Sequence, residues 1–201
     1  MKYPGILVAA VLLSGCKGGT LDADAACTGW PDWNTSSYIL PYQTGTAYTV
    51  IQGQCSPPGN GHRGENRYAF DFGMAINTAF IAARSGNVVS LVESHQDGEV
   101  GATGFDNYIV VQHADGTAAL YGHITRNGAV VGIGSSVTQG ELLGFSGNTG
   151  NTGNVPHLHF SVHRCNPVTG GSEGCPTVPS NFRNTDPNPQ GLQTGRAYPA
   201  Q

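Results

Sequence analysis

The stretch that most constrains this chain is Pro156-His157-Leu158-His159-Phe160-Ser161-Val162-His163, where polar and apolar residues alternate without a break. A strand sends successive side chains to opposite faces. Leu158, Phe160 and Val162 therefore share one face, and His157, His159, Ser161 and His163 share the other. The pattern predicts a half-buried strand with imidazoles lined up on one surface. Two histidines at this spacing can reach one bound ion, or one ion and the water it carries. Equally, the strand can be a polar face that happens to be rich in histidine. The rest of the chain has to decide between these readings.

The residues around that strand favour more of the same architecture. Glycine contributes 30 of the 201 residues and proline 12, while only 11% are charged, against roughly 25% charged in typical domains. Such a chain is turn-rich and builds short strands joined by tight turns, which predicts an all-β class with antiparallel strands. Its length suits one domain plus a leader. A net charge of -4 with no Lys/Arg cluster argues against nucleic acid as a partner. The glycine-rich run Gly147 to Gly153 reads as a flexible loop. It has no strand-loop-helix context and so is no phosphate cradle. No internal repeat with a period of 20–50 residues runs through the sequence.

Met1-Lys2 and the apolar run Ile6 to Leu13 have the layout of a secretory signal, too short to span a bilayer. Ser14-Gly15-Cys16 resembles a bacterial lipobox, so residues 1–15 read as a lipoprotein signal peptide and Cys16 as the lipid-bearing first residue. Cleavage would remove Lys2 and take the net charge from -4 to -5. Residues 16–26 read as a tether. These features predict an exported, membrane-anchored lipoprotein facing the periplasm or cell exterior, held to the membrane through its lipid. The remaining cysteines, Cys27, Cys55, Cys165 and Cys175, allow three pairings. Cys27–Cys55 and Cys165–Cys175 are expected because each closes a local loop. A four-thiolate metal site lacks the close cysteine pairs it needs.

Residues 27–60 mix aromatics with Pro, Thr and Ser and are expected to wrap the core. His62 follows the loop Ser56 to Gly61. In Tyr68-Ala69-Phe70-Asp71-Phe72-Gly73 the aromatics share one face and Asp71 the other; taken alone, Asp71 faces solvent. Thr78 to Arg84 and Asn87 to Val92 read as a hairpin about Ser85-Gly86. Tyr108 to Gln112 and Thr117 to His123 read as a second hairpin, with His123 on the face of Tyr121 and Ala119.

Three separated pieces thus offer zinc-type ligands: His62, Asp71, and His157 or His159. A catalytic zinc takes three N or O ligands and keeps a fourth position for water, whose pKa it lowers toward ~7. His123 and the unused member of the His-x-His pair are then placed to handle protons and steady an oxyanion. His95, His113 and His163 read as ordinary structural or surface histidines, His163 with room for a rim role.

In this order the pieces resemble the M23 metallopeptidases, the lysostaphin and LytM-type endopeptidases of peptidoglycan. The matching motifs are Tyr68-Ala69-Phe70-Asp71-Phe72, Ala82-Ala83-Arg84-Ser85-Gly86-Asn87-Val88, Tyr121-Gly122-His123-Ile124, Gly140-Glu141-Leu142-Leu143-Gly144, Ser146-Gly147-Asn148-Thr149-Gly150 and His157-Leu158-His159-Phe160. The resemblance implies antiparallel strands around a long groove, of the duplicated hybrid motif type, with a core at 61–164 and an extension with a Cys loop at 165–201. It further implies Asp71 and His159 as ligands of one Zn2+ per chain, His123 as oxyanion stabiliser, and His157 as the residue that positions or deprotonates the zinc-bound water. In the usual pattern the first ligand stands four residues before the aspartate, which here is Arg67, and a guanidinium cannot ligate zinc. His62 is expected to take that place, since its Asn66-Arg67-Tyr68-Ala69 context resembles a branch of the family with the histidine further upstream.

The function so implied is zinc-dependent hydrolysis of peptide bonds in the stem or cross-bridge peptides of cell-wall peptidoglycan. The rival readings are a non-catalytic groove module that binds peptidoglycan or activates another wall hydrolase, and a protease acting on other proteins.

Overall fold

The computed structural model describes residues 27–55, 62–99, 106–167 and 174–201. The signal segment, Cys16, the tether and the loop 56–61 lie outside the described residues. Within them the secondary structure is two three-residue 3-10 turns, Trp33–Thr35 and Gly64–Asn66, and eleven strands. In chain order these are β1 (Ala47–Gln52), β2 (Phe70–Phe72), β3 (Ala79–Ile81), β4 (Gly86–Val92), β5 (Tyr108–Gln112) and β6 (Ala118–Gly122). They continue with β7 (Ile124–Ala129), β8 (Ser136–Val137), β9 (Leu142–Ser146), β10 (Leu158–His163) and β11 (Ala197–Pro199). The class is all-β, as composition and alternation predict.

Eight strands form one sheet in the order β11-β1-β2-β10-β6-β5-β4-β8, and β3-β9-β7 form a second. The alternating histidine stretch becomes β10, hydrogen-bonded between β2 and β6 near the middle of the larger sheet. Leu158, Phe160 and Val162 enter a core shared with Phe70, Phe72, Ile109 and Tyr121 of the same sheet and with Phe80, Ile124 and Leu143 of the smaller one. Phe160 packs edge-on to Tyr121, with ring centroids 5.4 Å apart, and lies 5.6 Å from Phe182. Burying a side chain of this size contributes about 1.5–3 kcal/mol. Phe80 stacks on Tyr121 at 5.6 Å and so ties the two sheets together.

The polar face of β10 is not half-exposed as expected: His159, Ser161 and His163 are 8%, 0% and 1% exposed. Thr177 bridges to His163 at one end, and the His62 arm packs on His159 at the other.

Two other expectations fail for tertiary reasons. Residues 78–92 do not make a hairpin. β3 pairs with β9 in the small sheet, whereas β4 pairs with β5 and β8 in the large one. Gly86 serves close approach rather than a turn, since a Cβ there would lie 2.3 Å from the Gln112 carbonyl oxygen. Nor does the N-terminal segment only wrap: Tyr38, Leu40, Tyr42 and Val50 are part of the core, as are Phe182, Leu192 and Tyr198 from the C-terminal segment. The second expected hairpin does form, β5 and β6 pairing from Tyr108↔Gly122 to Gln112↔Ala118. Its turn is closed by His113 N–H to Thr117 O at 2.8 Å. Both expected disulfides, Cys27–Cys55 and Cys165–Cys175, are present.

Candidate metal centre

The register of the central strands assembles the site. His159 pairs with Asp71 on β2 and with Gly122 on β6, so a carboxylate and a side-chain-free residue flank one imidazole. Asp71 is 3% exposed, not solvent-facing as its local pattern suggests. His159 Nδ1 lies 2.9 Å from Asp71 Oδ1, and His62 Nε2 lies 3.1 Å from the same oxygen. One ligand atom each from His62, Asp71 and His159 fall within 4.8 Å of one another, a group able to hold a metal ion. Zinc with donors at about 2.0–2.2 Å in a tetrahedron needs them roughly 3.3 Å apart, so this set fits such an ion with small adjustments. Gly122 makes the room: a Cβ there would meet His159 Cβ at 3.3 Å.

The charge states suit metal ligation. Burial opposes ionisation of Asp71, but the imidazoles of His62 and His159 outweigh it and hold the carboxyl well below its ordinary value. Burial pushes His159 down to about 4, against the pull of Asp71. Carboxylate and neutral imidazole are the forms that bind metal.

His157 is seated by its own loop. Its Nδ1 lies 2.7 Å from Val155 O, and its Nε2 lies 3.5 Å from Asp71 Oδ1. A carbonyl only accepts, so Nδ1 carries the proton and Nε2 offers a lone pair on the cleft side. Burial lowers the pKa of His157, with the charge of Asp71 opposing.

His123 arrives differently from expectation. Alternation along β6 would put it beside Tyr121 in the core. Instead β6 ends at Gly122, and His123 adopts φ +60°, a left-handed backbone that turns its ring to the opposite side. There it lies against His157, with centroids 4.6 Å apart. Its Nδ1 faces two acceptors, Thr149 O at 2.8 Å and Asp106 Oδ1 at 3.2 Å. Burial works against protonation of His123, but the hydrogen bond and charge of Asp106 prevail and raise its pKa.

The loop before β10 is tightly held rather than free. Asn148 N–H donates to Asp97 Oδ1 at 2.6 Å, Gly150 N–H to Glu99 O at 3.0 Å, and Asn151 N–H to Asp106 Oδ1 at 3.2 Å. With Gln52 and Asn66 opposite, it walls an open cleft of about 520 Å³ whose floor carries His62, Asp71, His123, His157 and His159.

All five residues singled out in the sequence therefore meet in one place. His95, His113 and His163 do not: His113 Nδ1 lies 2.9 Å from Ser85 O, and both nitrogens of His163 are satisfied by Ser161 Oγ and Cys175 O. Asp106 escaped the sequence reading. It ends a loop of no regular pattern, and only the fold reveals that it reaches His123.

Similarity to known proteins covers the span that carries four of these five residues. The profile for "Peptidase family M23" matches residues 65–171, a span that includes Asp71, His123, His157 and His159 but starts after His62. The peptidoglycan DD-endopeptidase ShyA of Vibrio cholerae is 32% identical over 111 residues, covering 55% of this chain and 23% of ShyA. The DD-carboxypeptidase/endopeptidase Mpg of Neisseria meningitidis is 37% identical over 76 residues, covering 37% of this chain and 16% of Mpg. The chain thus spans less than a quarter of the length of these curated relatives. Among solved structures, the catalytic domain of lysostaphin from Staphylococcus simulans aligns with 60% of this chain and 79% of its own at 32% identity, with a TM-score of 0.40. Matched by that profile over more than half its length, the chain belongs to peptidase family M23.

Proposed function

We propose that this chain is a zinc-dependent metalloendopeptidase that hydrolyses peptide bonds in cell-wall peptidoglycan. The observation that carries the reading is the convergence of His62, Asp71 and His159 donors within 4.8 Å on the floor of an open cleft. In this reading those three residues hold one zinc per chain. When bound, the ion would act as a Lewis acid on the scissile carbonyl and lower the pKa of a water toward ~7.

The chain's own groups supply the rest. His157, with Nδ1–H committed to Val155 O, presents Nε2 as the acceptor that orients the attacking water and receives its proton. His123, anchored through Nδ1 to Thr149 O and Asp106, presents its other nitrogen as a donor toward the oxygen on which charge develops. Membership of the family and relatives named as peptidoglycan endopeptidases support the wall as substrate. Both disulfides fit an oxidising, exported setting. We place the lipid anchor at Cys16 and the peptidase core at residues 61–164.

The test is zinc content and muropeptide release by the purified chain. One zinc per chain, lost together with activity in Asp71→Ala and His159→Ala, is the expected result. A metal-free wild-type protein that binds peptidoglycan without cleaving it would instead establish the groove-module alternative. Cleavage of unrelated proteins but not of muropeptides would move the substrate away from the wall.

A further inference from the structure

His62 stands nine positions before Asp71, in no strand, so the sheet register that fixes Asp71 and His159 does not fix it. The segment that follows it is held from outside. Gly64–Asn66 is a single 3-10 turn, with Arg67 N–H donating to Gly64 O at 3.3 Å and Ala69 N–H to Asn66 O at 2.9 Å. Onto this turn comes Thr177, 5% exposed, from the C-terminal segment. Its N–H and its hydroxyl both donate to Glu65 O, each at 2.7 Å, and its Oγ1 accepts from Tyr68 N–H at 3.0 Å. Gly174 N–H adds a bond to Glu65 Oε2 at 2.8 Å. From the other side, Cys55 N–H donates to Arg67 O at 2.7 Å.

Thr177 is in turn fixed to β10. It bridges to His163, and the next residue, Val178, donates its N–H to Val162 O at 2.8 Å. The Cys165–Cys175 disulfide closes the loop that leaves β10 and returns two residues before Thr177. The strand that carries His159 therefore carries, through Thr177, the turn next to His62.

We propose that Thr177 is a positioning residue for His62: it registers the displaced ligand arm against the strand of the opposing ligand. In this way the C-terminal segment makes an upstream histidine serviceable in place of one four residues before Asp71. The inference rests on His62 being a zinc ligand. Partners that orient metal ligands typically change metal affinity by about 10–100-fold when lost. Thr177 acts through a backbone turn, so about tenfold is expected.

The experiment uses the full chain and zinc itself, with dissociation constants read by competition against a chromogenic chelator. Thr177→Val, which deletes the hydroxyl and keeps the shape, is expected to weaken zinc binding about tenfold. Thr177→Ser, which restores the hydroxyl, is expected to recover it. In metal-free protein, amide exchange across residues 62–69 should accelerate in Thr177→Val while β6 and β10 stay protected. A lowered melting temperature with unchanged zinc affinity would overturn the inference and leave Thr177 a purely structural residue. If Thr177→Val does not fold, Thr177→Ala decides, since it removes the same hydroxyl from the Glu65 carbonyl and the Tyr68 N–H without adding bulk at the turn. A comparable loss of affinity is then expected, and an unchanged one overturns the proposal. His62→Ala separates the two layers. Wild-type affinity in that variant removes the ligand reading itself. Lost affinity there with none lost in Thr177→Val removes only the positioning role.

Discussion

The two ends of β10 carry buried imidazoles on the same strand face, four residues apart, yet only one end gathers a site. At His159, the neighbouring strands place Asp71 on one side and Gly122 on the other. A carboxylate and an empty space meet the ring there, and a third residue, His62, completes a donor set beside solvent. At His163, the partner on β6 is Ala118, and Thr177 closes the other side. Its Nε2 meets Ser161 Oγ at 2.8 Å and its Nδ1 meets Cys175 O at 2.7 Å, so both nitrogens are used internally. Spacing makes the two histidines equivalent; what stands opposite them makes one a ligand candidate and the other a strut.

The strongest way to break this contrast is to remove the carboxylate. Asp71→Ala should abolish stoichiometric metal and reduce muropeptide release to background. His163→Ala should leave both unchanged. Metal analysis beside the release assay checks the pair, and metal lost equally in both variants would erase the distinction. Cutting the core beneath both ends should act without favour. Phe160→Ala is expected to cost about 3–5 kcal/mol in denaturant unfolding, since Phe160 is fully buried among Tyr121, Phe182 and Tyr38.

A finer comparison lies within the site end. Asp106→Ala removes one of the two acceptors on His123 Nδ1 but none of the metal donors. Turnover is expected to fall about 10–100-fold with zinc content intact. Metal loss in that variant would place Asp106 in the donor set instead.

The His163 end should show its role in stability rather than chemistry. His163→Ala strands the Ser161 hydroxyl and the Cys175 carbonyl, a cost of about 1–3 kcal/mol. Burial holds His163 below its ordinary pKa, against the pull of the Cys175 carbonyl. Because the folded-state value lies below an unfolded value near 6.5, the unfolded chain takes up protons first as pH falls. The stability His163 contributes is therefore complete above about pH 6.5 and is lost as pH drops from there toward the folded-state value. Urea midpoints at pH 8 and 5.5 should consequently differ less in His163→Ala than in the wild-type protein. An unaltered pH dependence would show that His163 does not titrate with folding.

Local pattern carried further for some residues than for others. The alternation in 156–163 sufficed to place β10, and the Ala114-Asp115-Gly116 turn sufficed to place the β5–β6 hairpin. The same reasoning put Asp71 in solvent and His123 beside Tyr121. Both failed because burial of a strand face and a left-handed residue at a strand end are decided by neighbours. Residues 78–92 looked like a hairpin because periodicity does not say which sheet a strand joins. Asp106, Thr177 and Glu65 carry no motif at all.

What the amino-acid sequence determined by itself is the β architecture, the two local disulfides and the identity of five residues that could share one site. Period-two patterning, loop closure between nearby cysteines and side-chain chemistry are local properties, and a linear chain displays them directly. Only the tertiary structure decided that Asp71 is buried against His159, that His123 turns out of the core toward His157, and that the His62 arm is clamped by Thr177 to the strand carrying His159. Those outcomes depend on register and packing between segments as much as a hundred residues apart, such as the Thr177–Glu65 bond spanning 112 positions.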